Sequence, residues 1–533
     1  MKGMLIFLYC NILMIGINGK YLRLLQQSST NQYSYSDYSA KSTNNNLSDN
    51  NELKSQTQDE SVVYITTSDI TISDSILTKE SGDSSNIENS EFYGVNAAVL
   101  VQGGELTMTG GKIITKAKGS NALCATNNGK VTISETEIES TADSSARGLH
   151  ATYGGNIIAT NVIISSSGGS CATLATDRGE GTVSCSSCTL STSGKGSPLI
   201  YSTGVISISQ TTGTSTGAQA VVVEGKNTAT ITENSELKCY GYGNNGDDNN
   251  QESKVDKCGV MLYQSMSGDA DSGTSTFNCD NSKIEIINES SVSTSAPMFF
   301  ITNTDAVINL KECTFTYNSN IFLTASGTSG TSWGTYGSNG GVVSLNLENQ
   351  EIEGNFVVDA TSGLTINLIK SKITGIINGE NTAAKLSITL DSDSSITLTG
   401  NSFFTSIINA KDDGTNLIND TFTWTKSEEK TIERSTGNIP SNQNENHSND
   451  PNNQNNPPNP PDNQGGNPPD NQGGNPPDIQ GGNPPDGQGR NTTEGQNIST
   501  SNGEDQSSPK NSTNNSNSKY LKISFLLIFI ILF

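Results

Sequence analysis

The stretch ALCATNNGKVTI, residues 122–133, sets the reading of the whole chain. A short apolar group leads into Asn127-Asn128-Gly129, and then Lys130-Val131-Thr132-Ile133 alternates polar and apolar residues as a strand with one covered side does. The phrase recurs as AAVLVQGGELTM (97–108), GLHATYGGNIIA (148–159), CATLATDRGEGTV (171–183), PLIYSTGVISI (198–208) and AVVVEGKNTATI (220–231). One glycine in each, namely Gly104, Gly129, Gly155, Gly179, Gly204 and Gly225, marks spacings of 25, 26, 24, 25 and 21 residues.

A unit of this length, made of short strands with no helix, cannot bury its own apolar side, but copies stacked on one another can. Ordering one unit costs about 38 kcal/mol at about 1.5 per residue, which asks for about 1,500 Å² of apolar burial. Each turn must therefore share its upper and lower surfaces with neighbours. The expected fold is all-β, a single-stranded parallel β-helix over residues 61–425. Roughly 13 or 14 three-sided turns at one strand spacing each would extend about 65 Å. Glycines at the corners supply backbone freedom, and Ser, Thr and Asn fill narrow places. The spacing puts Val99, Cys124, His150 and Leu174 in one column, beside Leu100, Ala125, Ala151 and Ala175. His150 is then a core-edge or exposed residue rather than a catalytic one. Later turns are visible in MFFITNTDAVINL (298–310), FVVDATSGLTINLIKSKI (356–373) and AAKLSITLDSDSSITLTG (383–400).

Only 32% of the 533 residues are hydrophobic, and the formal charge is −24. Nothing resembles a basic stripe, which excludes a nucleic-acid partner. With two histidines, His150 and His447, far apart in sequence, the chain offers no multi-histidine metal site, and no cofactor is implied.

The ends point to export and a lipid anchor. Residues 1–19 read as a signal peptide, with Lys2 ahead of an apolar run, and residues 20–60 as a polar lead-in. Residues 426–520 form an Asn/Pro/Gly-rich stalk expected to be disordered, in which NPPDNQGG at 459–466 repeats at 467–474. The tail, 521–533, is too short to cross a bilayer and fits a glycolipid-anchor signal, with Asn511, Ser512 and Asn514 as attachment candidates. The membrane is then a partner through that anchor, and the location is the extracellular side of the plasma membrane.

Eight cysteines outside the leader, Cys124, Cys171, Cys185, Cys188, Cys239, Cys258, Cys279 and Cys313, are disulfide candidates in an exported chain. Cys185-Ser-Ser-Cys188 reads as a local or neighbouring-turn disulfide ahead of redox or zinc chemistry, and Cys239 with Cys258 would pin the acidic excursion between them. Candidate N-glycan acceptors are Asn46, Asn288, Asn419, Asn446, Asn491 and Asn497. The loop SGTSGTSWGTYGSNG (326–340) offers Trp333 and Tyr336 as exposed aromatics for a ligand or as local packing.

The repeated turns over 62–424 resemble the right-handed parallel β-helix of the pectin-lyase-like superfold, shared by polysaccharide lyases, phage tailspikes and autotransporter passengers. Gly340-Gly341-Val342-Val343, Phe300-Ile301-Thr302-Asn303 and Phe315-Thr316-Tyr317-Asn318 are also similar to motifs of polymorphic outer-membrane proteins and their protist counterparts. The resemblance implies a surface protein that presents an elongated coil for adhesion, for recognition of a glycan or protein, or as coat. Its alternative implication is a surface polysaccharide lyase or glycoside hydrolase. No convergent catalytic set stands out, so no catalytic residue and no metal ligand is assigned. Arg147 with Asp143 and His150, or Arg178 with Asp177 and Glu180, are the nearest to one, and surface salt bridges are the expected role of both sets.

Overall fold

A computed structural model describes residues 37–48, 50–242, 257–329 and 333–432. The expected signal peptide (1–19), the expected stalk from residue 433 onward, the expected anchor tail (521–533) and the acceptors Asn446, Asn491 and Asn497 lie outside these residues, as does the excursion at 243–256. The first residues assigned to the stalk, up to 432, are described, and Lys426 ends the strand Trp424–Lys426.

Within the described residues the chain winds as a three-sided parallel β-solenoid. Sheet A has 12 strands, from Ser39–Thr43 to Asn355–Val358; sheet B has 13, from Ile70–Ser73 to Ser406–Asn409; sheet C has 10, from Glu52–Ser55 to Thr314–Thr316. Beyond these, a 4-stranded sheet takes the place of C and a 2-stranded sheet that of A. Every registered strand pair is parallel and joins one turn to the next, so a side chain stands over its counterpart one strand spacing away.

The alternation seen in the sequence is what this geometry requires. In Lys130–Ser134, Val131 and Ile133 point inward and are buried, while Lys130 and Thr132 face out. Val131 stacks between Leu106 and Ile157, and the column continues through Val183 and Ile206. From Phe277 onward aromatic rings join the interior, with Phe299 centred 5.5 Å from Phe277 and 5.2 Å from Phe322. Such edge-to-face packing adds to the burial of each ring.

Small polar residues hold the corners. Between sheets B and C most turns use two residues, as at Gly110-Gly111, Glu135-Thr136 and Ser187-Cys188, the first of each with positive φ. The second residue turns inward, and its backbone N–H is met by a side chain of the turn above: Cys188 donates to Thr211 Oγ1, Gln350 to Ser371 Oγ and Ser371 to Ser394 Oγ, at 3.2, 3.0 and 3.0 Å. Ser and Thr therefore act here as buried acceptors for corner amides that would otherwise lack partners.

Five expectations need correction. Among the described residues the coil is already present at Ser39 rather than starting near Val62, because Ser39–Thr43 pairs in register with Glu60–Ile65 and lies inside the supposed lead-in. The glycine edge runs through Gly104, Gly129, Gly155, Gly181 and Gly204 and then Asn227, since Lys130, Asn156 and Thr228 donate to the carbonyls of Gly104, Gly129 and Gly204, and Gly155 pairs with Gly181. Gly179 and Gly225 sit beside that edge with positive φ. A Cβ on Gly155 would stand 2.1 Å from the Ala125 carbonyl oxygen, which is why the edge needs glycine. The sheet A columns are offset by one: Cys124 and His150 align with Leu100 and Ala175, while Val99, Leu123, Leu149 and Leu174 share the next column. A helix also exists, Ile87–Tyr93, capped by Asn86 at its start and by Gly94 in the left-handed region at its end. Finally, four of the eight cysteines form disulfides, Cys185–Cys188 across a B–C corner and Cys279–Cys313 between successive turns. Cys124, Cys171 and Cys239 are buried thiols, and no disulfide joins Cys239 to Cys258.

Candidate functional site

The three sheets treat their outer faces differently. Sheet B presents Thr107, Thr132, the half-exposed Ile158, Ser184, Ser207 and Thr230, and then an amide ladder in which Asn309, Asn346 and Asn367 each donate Nδ2 to the Oδ1 of the asparagine one turn before, at 2.8 Å. Sheet A presents Leu100, Cys124, His150, Ala175, Tyr201, Val222, Met261 and Phe300, nearly all buried. What packs over them comes from the connections flanking sheet A: Gly94, in the helical loop at 80–98, lies against Leu100 and Cys124, Trp333 packs with Val222, Met261 and Phe300, and the loop at 264–273 brings Asp269 to the same face.

Between these covers lies a cleft of about 170 Å³, lined among others by Glu91, Arg147, Asp177, Tyr201, Tyr263 and Asp269. Each comes from a different turn or loop. Glu91 is on the helix Ile87–Tyr93; Arg147 precedes strand Leu149–Ala151; Asp177 follows Leu174–Thr176; Tyr201 and Tyr263 lie on Ile200–Ser202 and Val260–Tyr263; Asp269 is in the loop at 264–273.

Arg147 is the centre of the site. It is 7% exposed, and both its ion pairs use one nitrogen, Nη2, at 3.3 Å from Glu91 and 3.2 Å from Asp177. Its other terminal nitrogen, Nη1, is buried without a hydrogen-bond partner. Burial alone would lower Arg147, but the Glu91 and Asp177 carboxylates raise it, so the guanidinium stays charged. Asp177 is pushed up to about 7 by burial, against the pull of Arg147 and with help from Asp269 and Glu91.

The neighbouring groups are likewise ionisable and enclosed. Arg178 pairs with Asp269 at 3.0 Å and lies 3.9 Å over the Phe92 ring. Behind the cleft wall, Glu224 is buried and accepts hydrogen bonds from Tyr201 Oη at 2.6 Å, Tyr263 Oη at 2.7 Å and the Ser265 hydroxyl. Burial raises Glu224 above the ordinary carboxylate range, against those hydroxyls, and raises both tyrosines well above theirs. His150 is fully buried with neither ring nitrogen hydrogen-bonded; burial and then Arg147 hold it well below its ordinary value, so it is neutral.

The two residue sets singled out in the sequence are thus rearranged. Arg147 meets Asp177 and not Asp143, which is exposed; Arg178 meets Asp269, while Glu180 pairs with Lys226 at 2.7 Å. The expected surface role fails for Arg147 and Asp177, which are buried. Trp333 is also buried, packed against Tyr263 and Met261, whereas Tyr336 is 73% exposed. Sequence reasoning missed Glu91, Tyr201, Glu224, Tyr263 and Asp269. One signal was available: Glu224 ends an apolar strand at a place where other turns carry Gln102 or Thr126, an acid where the repeat asks for a neutral group.

The acceptors Asn46, Asn288 and Asn419 are all exposed. Among the described residues no group of three or more His, Cys, Asp or Glu is placed to hold a metal ion, and no helix is long and apolar enough to cross a membrane. No protein-family model, curated protein or solved structure matches the chain. Its class is accordingly the one its architecture defines, a parallel β-solenoid with one face covered and a polar cleft in that cover.

Proposed function

We propose that this is an exported cell-surface protein, held by a glycolipid anchor on a polar stalk, whose solenoid recognises a sugar-sized polar ligand in the cleft over sheet A. The leader at 1–19, the stalk at 426–520 and the apolar tail at 521–533 support the location. The observation that carries recognition is Arg147, which lines a cleft of about 170 Å³ while its buried Nη1 has no hydrogen-bond partner. A buried donor left without an acceptor costs about 1–3 kcal/mol, and a bound oxygen recovers it. Adhesion follows if the ligand belongs to another cell or matrix, and a coat role if it belongs to a neighbouring molecule.

Glycan-array binding by the purified full chain tests the site: specific binding lost in Arg147→Lys supports it, and equal array profiles for both proteins overturn it. Release of the protein from intact cells by a phosphatidylinositol-specific phospholipase, with residues 523–533 absent from the mature chain, tests the anchor. A second reading is favoured by Asp177, whose proton persists to about 7 beside other carboxylates, as a general acid of glycoside cleavage requires. Turnover of a bound oligosaccharide, abolished in Asp177→Asn, would establish the enzyme; binding without turnover would leave recognition.

A further inference from the structure

Four carboxylates, Glu91, Asp177, Glu224 and Asp269, line or back the cleft against two guanidiniums, Arg147 and Arg178, a surplus of two negative charges when all are ionised. The pairing makes the surplus local. Arg147 is shared by Glu91 and Asp177 through a single nitrogen, Arg178 serves Asp269, and Glu224 is met by hydroxyls alone. At the same place Arg147 Nη1 is a donor without an acceptor. The cleft can therefore take two things at once: a cation that lets all four of its acids ionise, and a neutral oxygen as acceptor for Arg147.

Resting on the reading of this cleft as a ligand site, we infer that its ligand is an amino sugar, a glycan unit bearing a free primary ammonium among hydroxyls. The ammonium supplies that cation and donates to the carboxylates in charge-assisted hydrogen bonds. A ring hydroxyl accepts from Arg147 Nη1. The C–H face of the ring rests on Val222, Met261 and the tyrosine rings, which belong to the apolar part of the lining. The proton that Asp177 retains has the same origin in burial and unbalanced carboxylate charge. Other ligands match less well. A uronate adds a third excess negative charge, an N-acetylated sugar brings none of the charge required, and a lysine side chain carries its ammonium on an apolar stem with no acceptor beside it.

Calorimetric titration of the purified full chain would compare a β-1,4-linked glucosamine tetramer with its N-acetylated counterpart, a galacturonate tetramer and a lysine-containing peptide. The glucosamine tetramer is expected to bind about tenfold or more tightly than the acetylated one. Asp269→Asn, in a loop that folds outside the coil, should narrow that preference to about threefold while leaving the fold intact, and Arg147→Lys should weaken both sugars. Equal or tighter binding of the acetylated or uronate tetramer, still dependent on Arg147, would overturn the amine and keep the ligand site. Binding of the peptide alone would replace the sugar by a protein partner. No binding by any of the four probes would overturn both the amino sugar and the site.

Discussion

Sheets A and B are wound from the same coil at the same spacing, yet they have opposite outer faces. Sheet B is open and satisfied within itself: its hydroxyls and asparagines bond from turn to turn, and Glu105 with Lys130 or Lys311 with Glu348 pair along the columns. Sheet A is covered, and its cover encloses charges that the coil has no need of. The connections explain the difference. Corners between B and C keep to two residues in most turns, whereas the described connections entering and leaving sheet A range from two residues at Gly103-Gly104 to the stretch at 80–98 with its helix. The connections that enter or leave sheet A carry the helix and the loop at 264–273, and the cleft is lined by residues of both.

Substitutions on the two faces should differ sharply. Arg147→Met leaves Asp177 and Glu91 without their cation, and removing one partner of a buried pair costs about 3–5 kcal/mol. Urea unfolding measures this; a loss below about 1 kcal/mol would mean the cleft is wetter than its geometry indicates. Replacing both Cys279 and Cys313 by Ala should cost about 2–4 kcal/mol, because their bond ties residues 34 apart in successive turns of the interior.

A third test uses pH. His150 stays neutral when folded but protonates near its ordinary value of 6.5 when unfolded, so its contribution is intact above about 6.5 and declines as pH falls below it. Thermal melts from pH 7 to 5 should show His150→Leu losing less stability than the parent, by up to about 1.4 kcal/mol per pH unit. Asp177 has the opposite sign. It holds its proton to about 7 when folded against an ordinary value of 3.8, so its contribution is complete below about 4 and is lost as pH rises through 7. The smallest effect belongs to sheet B, where Thr132→Ala on the exposed face should shift stability by no more than about 0.5 kcal/mol. A larger loss would show that the open face is occupied.

The same contrast explains what the sequence disclosed. Alternation in stretches such as Lys130–Ser134 and the glycine edge through Gly104, Gly129 and Gly155 are local consequences of stacking, so the solenoid was legible, although a column could slip by one residue. Gly179 was mistaken for Gly181 because two glycines flank Glu180 and only the register chooses between them. The helix Ile87–Tyr93 was readable from Asn86 and Gly94 but was masked by the expectation of strands alone. The cleft was not legible. Arg147 and Asp177 are 30 residues apart, and Arg178 and Asp269 are 91 apart, so no spacing rule brings them together; only the number of intervening turns and the fold of the loops does. The disulfide Cys279–Cys313 was hidden for the same reason, whereas Cys185–Cys188 could be read directly.

The link between Cys279 and Cys313 also bears on how the molecule would answer a pull. A coil wound turn upon turn, when drawn out from its first and last strands, unravels by peeling, each rung giving way before the next is loaded. The bond withholds the segment between its two sulfurs from that extension. At about 3.4 Å per residue, roughly 115 Å of contour length stays locked until the bond is reduced, so the same tether would be shorter outside a cell than in a reducing medium.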